Sequence, residues 1–98
     1  MKNELNEKAM NKLIKELIKK DIPFEVTVQS LFNAISVLTP SIEDPAIDAI
    51  CHEGSDGGEN GLIEIMYHKL EVQDDVVGYL TPEEAAICFE TAYKALTE

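Results

Sequence analysis

Residues 22–39, Ile-Pro-Phe-Glu-Val-Thr-Val-Gln-Ser-Leu-Phe-Asn-Ala-Ile-Ser-Val-Leu-Thr, carry two periodicities at once. Ile22, Phe24, Val26 and Val28 alternate with other residues, as in a short strand with one buried face. Val28, Leu31, Phe32, Ile35 and Leu38 then recur at helical spacing. We read the stretch as a helix from about Thr27 to Leu38, stopped by Thr39-Pro40.

Upstream, residues 3–20 read as an amphipathic helix. Met10, Leu13, Ile14, Leu17 and Ile18 form one apolar stripe. Glu4–Lys8 and Glu16–Lys20 are i, i+4 pairs in the favoured order. Lysines crowd the last turn, where they suit the negative end of the helix dipole, and Pro23 ends the run. Downstream, residues 43–52 suggest a short helix with Asp44 as N-cap and Pro45 at the first helical position. Residues 53–61 hold four glycines in a nine-residue loop. Leu62, Ile63, Met66, Tyr67 and Leu70 then fit a helix over 61–71. Ile63, Ile65 and Tyr67 also alternate, so a β-hairpin pairing 62–72 with 76–80 across Gln73-Asp74-Asp75 is the alternative. Thr81-Pro82-Glu83-Glu84 is a capping box for a last helix, whose stripe is Ala85, Cys88, Phe89, Ala92 and Leu96. The expected fold is therefore mainly α: one domain over 1–98, a bundle of four to five helices, with α+β and a hairpin in 62–80 as the alternative.

The charge balance restricts the partners. The chain has 19 acidic and 8 basic residues, a net charge of −11. Residues 1–20 hold six Lys against three Glu, so +3; residues 21–98 hold two Lys against sixteen acids, so −14. Such a body repels nucleic acid and anionic membrane and attracts basic surfaces. There is no Arg and no Trp. The missing guanidinium fork counts against phosphoryl transfer and nucleotide binding. Two Cys, no CxxC pair and no apolar run of membrane-spanning length lead us to expect reduced thiols and a cytoplasmic protein.

No catalytic constellation stands out, and no enzyme activity, cofactor or metal is expected. Residues Asp56, Asn60, Gly61, Ile63 and Glu64 resemble part of an EF-hand calcium loop. However, Gly58 and Tyr67 stand where oxygen ligands belong. A weaker partial match begins at Gln73. His52-Glu53 starts like HExxH, but Asp56 occupies the second histidine position. A Cys51–His68 pair would need the fold to join them.

The function expected from composition is stoichiometric, non-catalytic binding to a basic protein surface or a nucleic-acid-binding protein. In composition the chain resembles the small acidic inhibitors of phages that mimic nucleic acid. The densest acids are Glu43, Asp44, Asp48, Glu53, Asp56 and Glu59, then Glu71, Asp74, Asp75, Glu83 and Glu84. Two alternatives stand beside it: a small self-associating regulatory or structural subunit, forming a homodimer through an excess apolar stripe, and a degenerate calcium-binding module.

Overall fold

A computed structural model describes residues 3–29, 34–39, 46–52, 55, 57–68 and 75–97. Among the described residues, two helices flank five strands: α1 (Asn3–Lys19), β1 (Glu25–Gln29), β2 (Ala34–Thr39), β3 (Ile47–Ile50), β4 (Ile63–Tyr67), β5 (Val76–Leu80) and α2 (Pro82–Thr97). A single 3-10 turn, Gly58–Asn60, precedes β4. The strands form one antiparallel sheet in the order β1-β2-β3-β4-β5.

This α+β architecture corrects the helical bundle. Where a helix is expected over 27–38, the described residues pair as two antiparallel strands, with Val26 opposite Val37, Thr27 opposite Ser36 and Val28 opposite Ile35. The alternation was the stronger physical signal, because β-branched Val26, Thr27, Val28, Ile35 and Val37 pack well on a pleated surface. The helix expected over 43–52 is replaced by β3; its proposed cap, Asp44-Pro45, lies outside the described residues. In place of the helix over 61–71, Ile63–Tyr67 form β4 and pair antiparallel with β5 as in the alternative, with Ile65 opposite Val77 and Met66 opposite Val76; residues 69–74 lie outside the described residues.

Both terminal helices form as their patterns predict. Thr81 caps α2: the Glu84 amide donates to Thr81 Oγ1 (3.1 Å) and the Thr81 amide to Glu84 Oε1 (2.9 Å). The end of α1 is set before Pro23. Asp21 is left-handed (φ 58°), Ile22 N donates to the Leu17 carbonyl, and Asp21 N donates to that of Ile18. This pattern closes a helix by satisfying its last carbonyls, and the buried Ile22 and Leu17 supply its apolar contact.

The helices cover one face of the sheet. Met10, Leu13 and Leu17 of α1 and Ala85, Ala86, Phe89 and Ala92 of α2 meet Val37, Ile47, Ala49, Cys51, Ile63 and Ile65 in a single core. Along the sheet, α1 touches β2, whereas α2 touches β3, β4 and β5. Lys12 pairs with Glu83 (2.8 Å) and Lys20 with Glu90 (3.3 Å), so the two helices run parallel. The lysines of α1 thus lie partly over the protein's own acids. Glu16 pairs with Lys19, not with Lys20 as the i, i+4 spacing predicts.

Candidate functional site

Two regions combine unusual chemistry with accessible surface: the turn before β4 and the β1 edge.

The turn is held rigidly. Its described residues are linked by backbone hydrogen bonds, including Ser55 N to the His52 carbonyl, Gly58 N to that of Ser55 and Leu62 N to that of Gly57. Ser55 Oγ accepts from His52 N (3.0 Å) and donates to the His52 carbonyl (2.8 Å). A Cβ on Gly58 would stand 1.7 Å from the His52 carbonyl oxygen, so only glycine fits. Asn6 ties the turn to α1. Its buried Nδ2 donates to the Gly58 carbonyl (2.8 Å) and to Cys51 Sγ (3.1 Å), and Sγ lies 3.2 Å from the Leu62 carbonyl as donor. Burial pushes the Cys51 thiol up, and the Asn6 hydrogen bond offsets this in part. A thiol held protonated is a poor nucleophile.

The other candidates separate in space. Cys51 belongs to the buried core, whereas His68 bonds Asp48 through Nε2 (2.7 Å) on the opposite sheet face. The Cys–His pair therefore does not form. Among the described residues no three His, Cys, Asp or Glu side chains converge as a metal site would require; Asp56, the first position of the calcium-loop resemblance, lies outside them. Tyr67 packs against the core beside Cys88. Its phenol is pushed up to about 12, first by burial and then by the hydrogen bond and charge of Cys88.

Five of the acids expected to meet a partner are among the described residues, and they lie on different elements. Asp48 pairs with His68, Glu83 with Lys12, and Glu84 closes the α2 cap. The bond to Lys12 holds the Glu83 carboxyl below its ordinary range, while Glu83 holds the Lys12 ammonium above its own. Glu59 and Asp75 are exposed, on the turn and before β5. Glu43, Asp44, Glu53, Asp56, Glu71 and Asp74 lie outside the described residues.

The apolar surface is more concentrated. Val26 and Val28 sit opposite the core residues Val37 and Ile35, so they point to the helix-covered face of the sheet. Yet they are 42% and 56% exposed, because α1 stands over β2 and leaves β1 beyond its edge. On α1, Lys12, Glu16 and Lys20 mark the flank toward α2. Ile14 and Ile18 mark the other flank, which looks toward β1. Ile18 is 64% exposed, although its spacing places it on the predicted stripe. On the outer face, the Ser36 hydroxyl beside Thr27 is buried without a hydrogen-bond partner among the described residues.

No family model, curated protein or solved structure matches this chain. Among the described residues, no helix is long and apolar enough to cross a membrane.

The two sheet edges differ in their defences. β5 carries a bulge between its Ile65 and Ile63 pairings, where Tyr79 adopts a left-handed φ of 59°. Asp75 precedes it. Bulges and charges of this kind discourage further strand addition. β1 pairs with β2 in regular register without a bulge, and its one charged residue is Glu25 at its start. Sequence reasoning missed this surface because Val28 was assigned to a helical stripe. The missed signal was the Val-Thr-Val alternation, which a helix has no use for.

Proposed function

We propose that this protein is a non-catalytic assembly subunit whose working surface is the open β1 edge together with the Ile14–Ile18 flank of α1. The observation that carries this reading is the exposure of Val26 and Val28 on the core-facing side of a strand at the sheet edge. Exposed apolar side chains on a strand at the edge of a sheet favour strand addition, in which main-chain hydrogen bonds supply affinity and alternate side chains supply selectivity. The acidic exterior, −14 beyond residue 20, keeps the rest of the surface soluble and repels anionic partners.

A Val26→Lys, Val28→Lys double substitution tests the reading. Both positions are already half-exposed, so the fold should survive, as circular dichroism would show. Wild-type protein should sediment above its 10.9 kDa monomer mass, either alone or with a protein acquired from lysate. The double variant should lose that extra mass. A wild-type chain that stays at monomer mass in both settings, or a variant that keeps every partner, overturns the proposal.

A further inference from the structure

Resting on the reading of this surface as an assembly site, we infer that its occupant is a cationic amphipathic helix of a different protein, seated in the trough between α1 and β1. The floor of the trough is Val26 and Val28, 42% and 56% exposed on the helix-covered side of the sheet. Its wall is the flank of α1. Glu7, Asn11, Ile14 and Ile18 recur at i, i+4, i+7 and i+11 and so share that flank. Ile14 packs against the core, whereas Ile18 is 64% exposed. Strand addition would extend the sheet sideways and lay no new layer above Val26, Val28 and Ile18. A helix beside α1 covers all three and continues the helical layer over the rim. It takes no main-chain hydrogen bond from β1.

The spacing suits such a layer. Neighbouring strands lie about 4.8 Å apart, and packed helices about 8–10 Å apart. α1 stands over β2, so the axis of a third helix would fall about one strand spacing beyond β1. Its inner side then meets the valines, and its lateral side meets Ile14 and Ile18. α1 itself spans 17 residues, roughly 25 Å, so a partner helix of about four turns fits alongside.

Charge selects the partner. Lys8, Lys12, Lys15 and Lys19 form a separate stripe of α1, and the bond from Lys12 to Glu83 ties it to the α2 side. The wall facing β1 carries Glu7 and no lysine. Asp21 stands at its end, where its amide donates to the Ile18 carbonyl. Both carboxylates are exposed, and neither forms an ion pair among the described residues. An apolar floor with acidic ends, within a −11 chain, suits a helix whose apolar stripe is flanked by lysine or arginine. A second copy does not supply one. Met10, Leu13 and Leu17 of α1 are buried in their own core, and α2 carries Glu83, Glu84 and Glu90 against Lys94. Two −11 bodies also repel.

Peptide titration followed by fluorescence anisotropy tests the inference. The probe is a labelled peptide of about 18 residues, roughly 27 Å as a helix, with leucines at helical spacing flanked by lysines. A second peptide has the same composition in strict alternation, and a third replaces each lysine by glutamate. The helical lysine peptide should bind and gain helical circular dichroism, and the other two should bind at least about tenfold more weakly. Ile18→Gln with Val28→Thr removes apolar surface without altering charge. Both positions are more than half exposed, so the fold should persist, yet the dissociation constant should rise more than about tenfold. Glu7→Gln should raise it roughly two- to fivefold at about 50 mM salt and hardly at all at about 500 mM. Asp75→Asn, before β5 at the far edge of the sheet, should change nothing. Equal binding by wild type and the Ile18→Gln, Val28→Thr variant shows general charge attraction and overturns the inference, as does a lysine peptide that fails to bind. Preference for the alternating peptide identifies an added strand, and preference for the glutamate peptide a partner of opposite charge. Each overturns the inference and leaves the assembly-subunit reading standing. That reading falls separately, when the chain keeps its monomer mass both alone and in lysate.

Discussion

Replacing Asn6 by alanine removes the side chain that fastens the 57–62 turn to α1. The amide donates to the Gly58 carbonyl at 2.8 Å and to Cys51 Sγ at 3.1 Å, and the residue is 8% exposed. A buried carbonyl left without its donor costs about 1–3 kcal/mol. The thiol is a weak acceptor, and its loss adds little. The space vacated by the amide adds on the order of 1 kcal/mol if the site relaxes only in part. The expected loss is therefore about 2–4 kcal/mol, a large share of the roughly 5–15 kcal/mol available to a domain of this size. In a thermal melt this corresponds to a fall of roughly 10–20 °C.

Urea titration followed by circular dichroism reads the loss directly, as a lower midpoint at unchanged slope. Amide exchange at Gly61 and Leu62 should accelerate more than exchange in β3, because their donors belong to the released turn. A double-mutant cycle with Cys51→Ala apportions the network. The coupling should stay below about 1 kcal/mol, since the Gly58 bond carries most of the effect. If Asn6→Ala costs less than about 0.5 kcal/mol, the hydrogen bonds are not what holds the turn, and the account of α1 as its clamp fails.

Two further predictions concern backbone strain and alkaline pH. Asp21→Gly should stabilise the protein by about 0.5–1 kcal/mol in denaturant titration, because glycine relieves the left-handed φ of 58° and a carboxylate leaves the negative end of α1; a loss of stability would refute that reading of the helix end. Tyr67→Phe should flatten the alkaline stability curve: the folded phenol is raised from 10.0 to about 12, so its contribution is complete below pH 10.0 and is lost as pH climbs toward about 12. Absorbance titration should show a phenol ionising near pH 12 that disappears in the variant.

Some elements were legible because their signals are local. The capping box needs only Thr81 and Glu84 three residues apart, and it forms as spaced. The stripe Met10, Leu13, Ile14, Leu17 and Ile18 needs only a helical period; Met10, Leu13 and Leu17 are buried, whereas Ile18 is exposed. The 62–80 hairpin was legible only as an alternative, since Ile63, Ile65 and Tyr67 fit both periods. The 27–38 stretch reads as helical only through Leu31 and Phe32, which lie outside the described residues; the described flanks pair as β1 and β2. Asn6 gave no signal, because its partners are 45 and 52 residues away.

The sequence by itself determined the charge asymmetry, the two terminal helices and the thiol-poor, arginine-free chemistry, because each depends on residue identity or on neighbours within one or two helical turns. Only the tertiary structure decided which apolar residues remain uncovered. Val26, Val28 and Ile18 are as apolar as the residues of the core. They are exposed because two helices of this length cover β2 to β5 and leave β1 at the rim. Burial is a property of what packs above a residue, and that partner is set by chain topology.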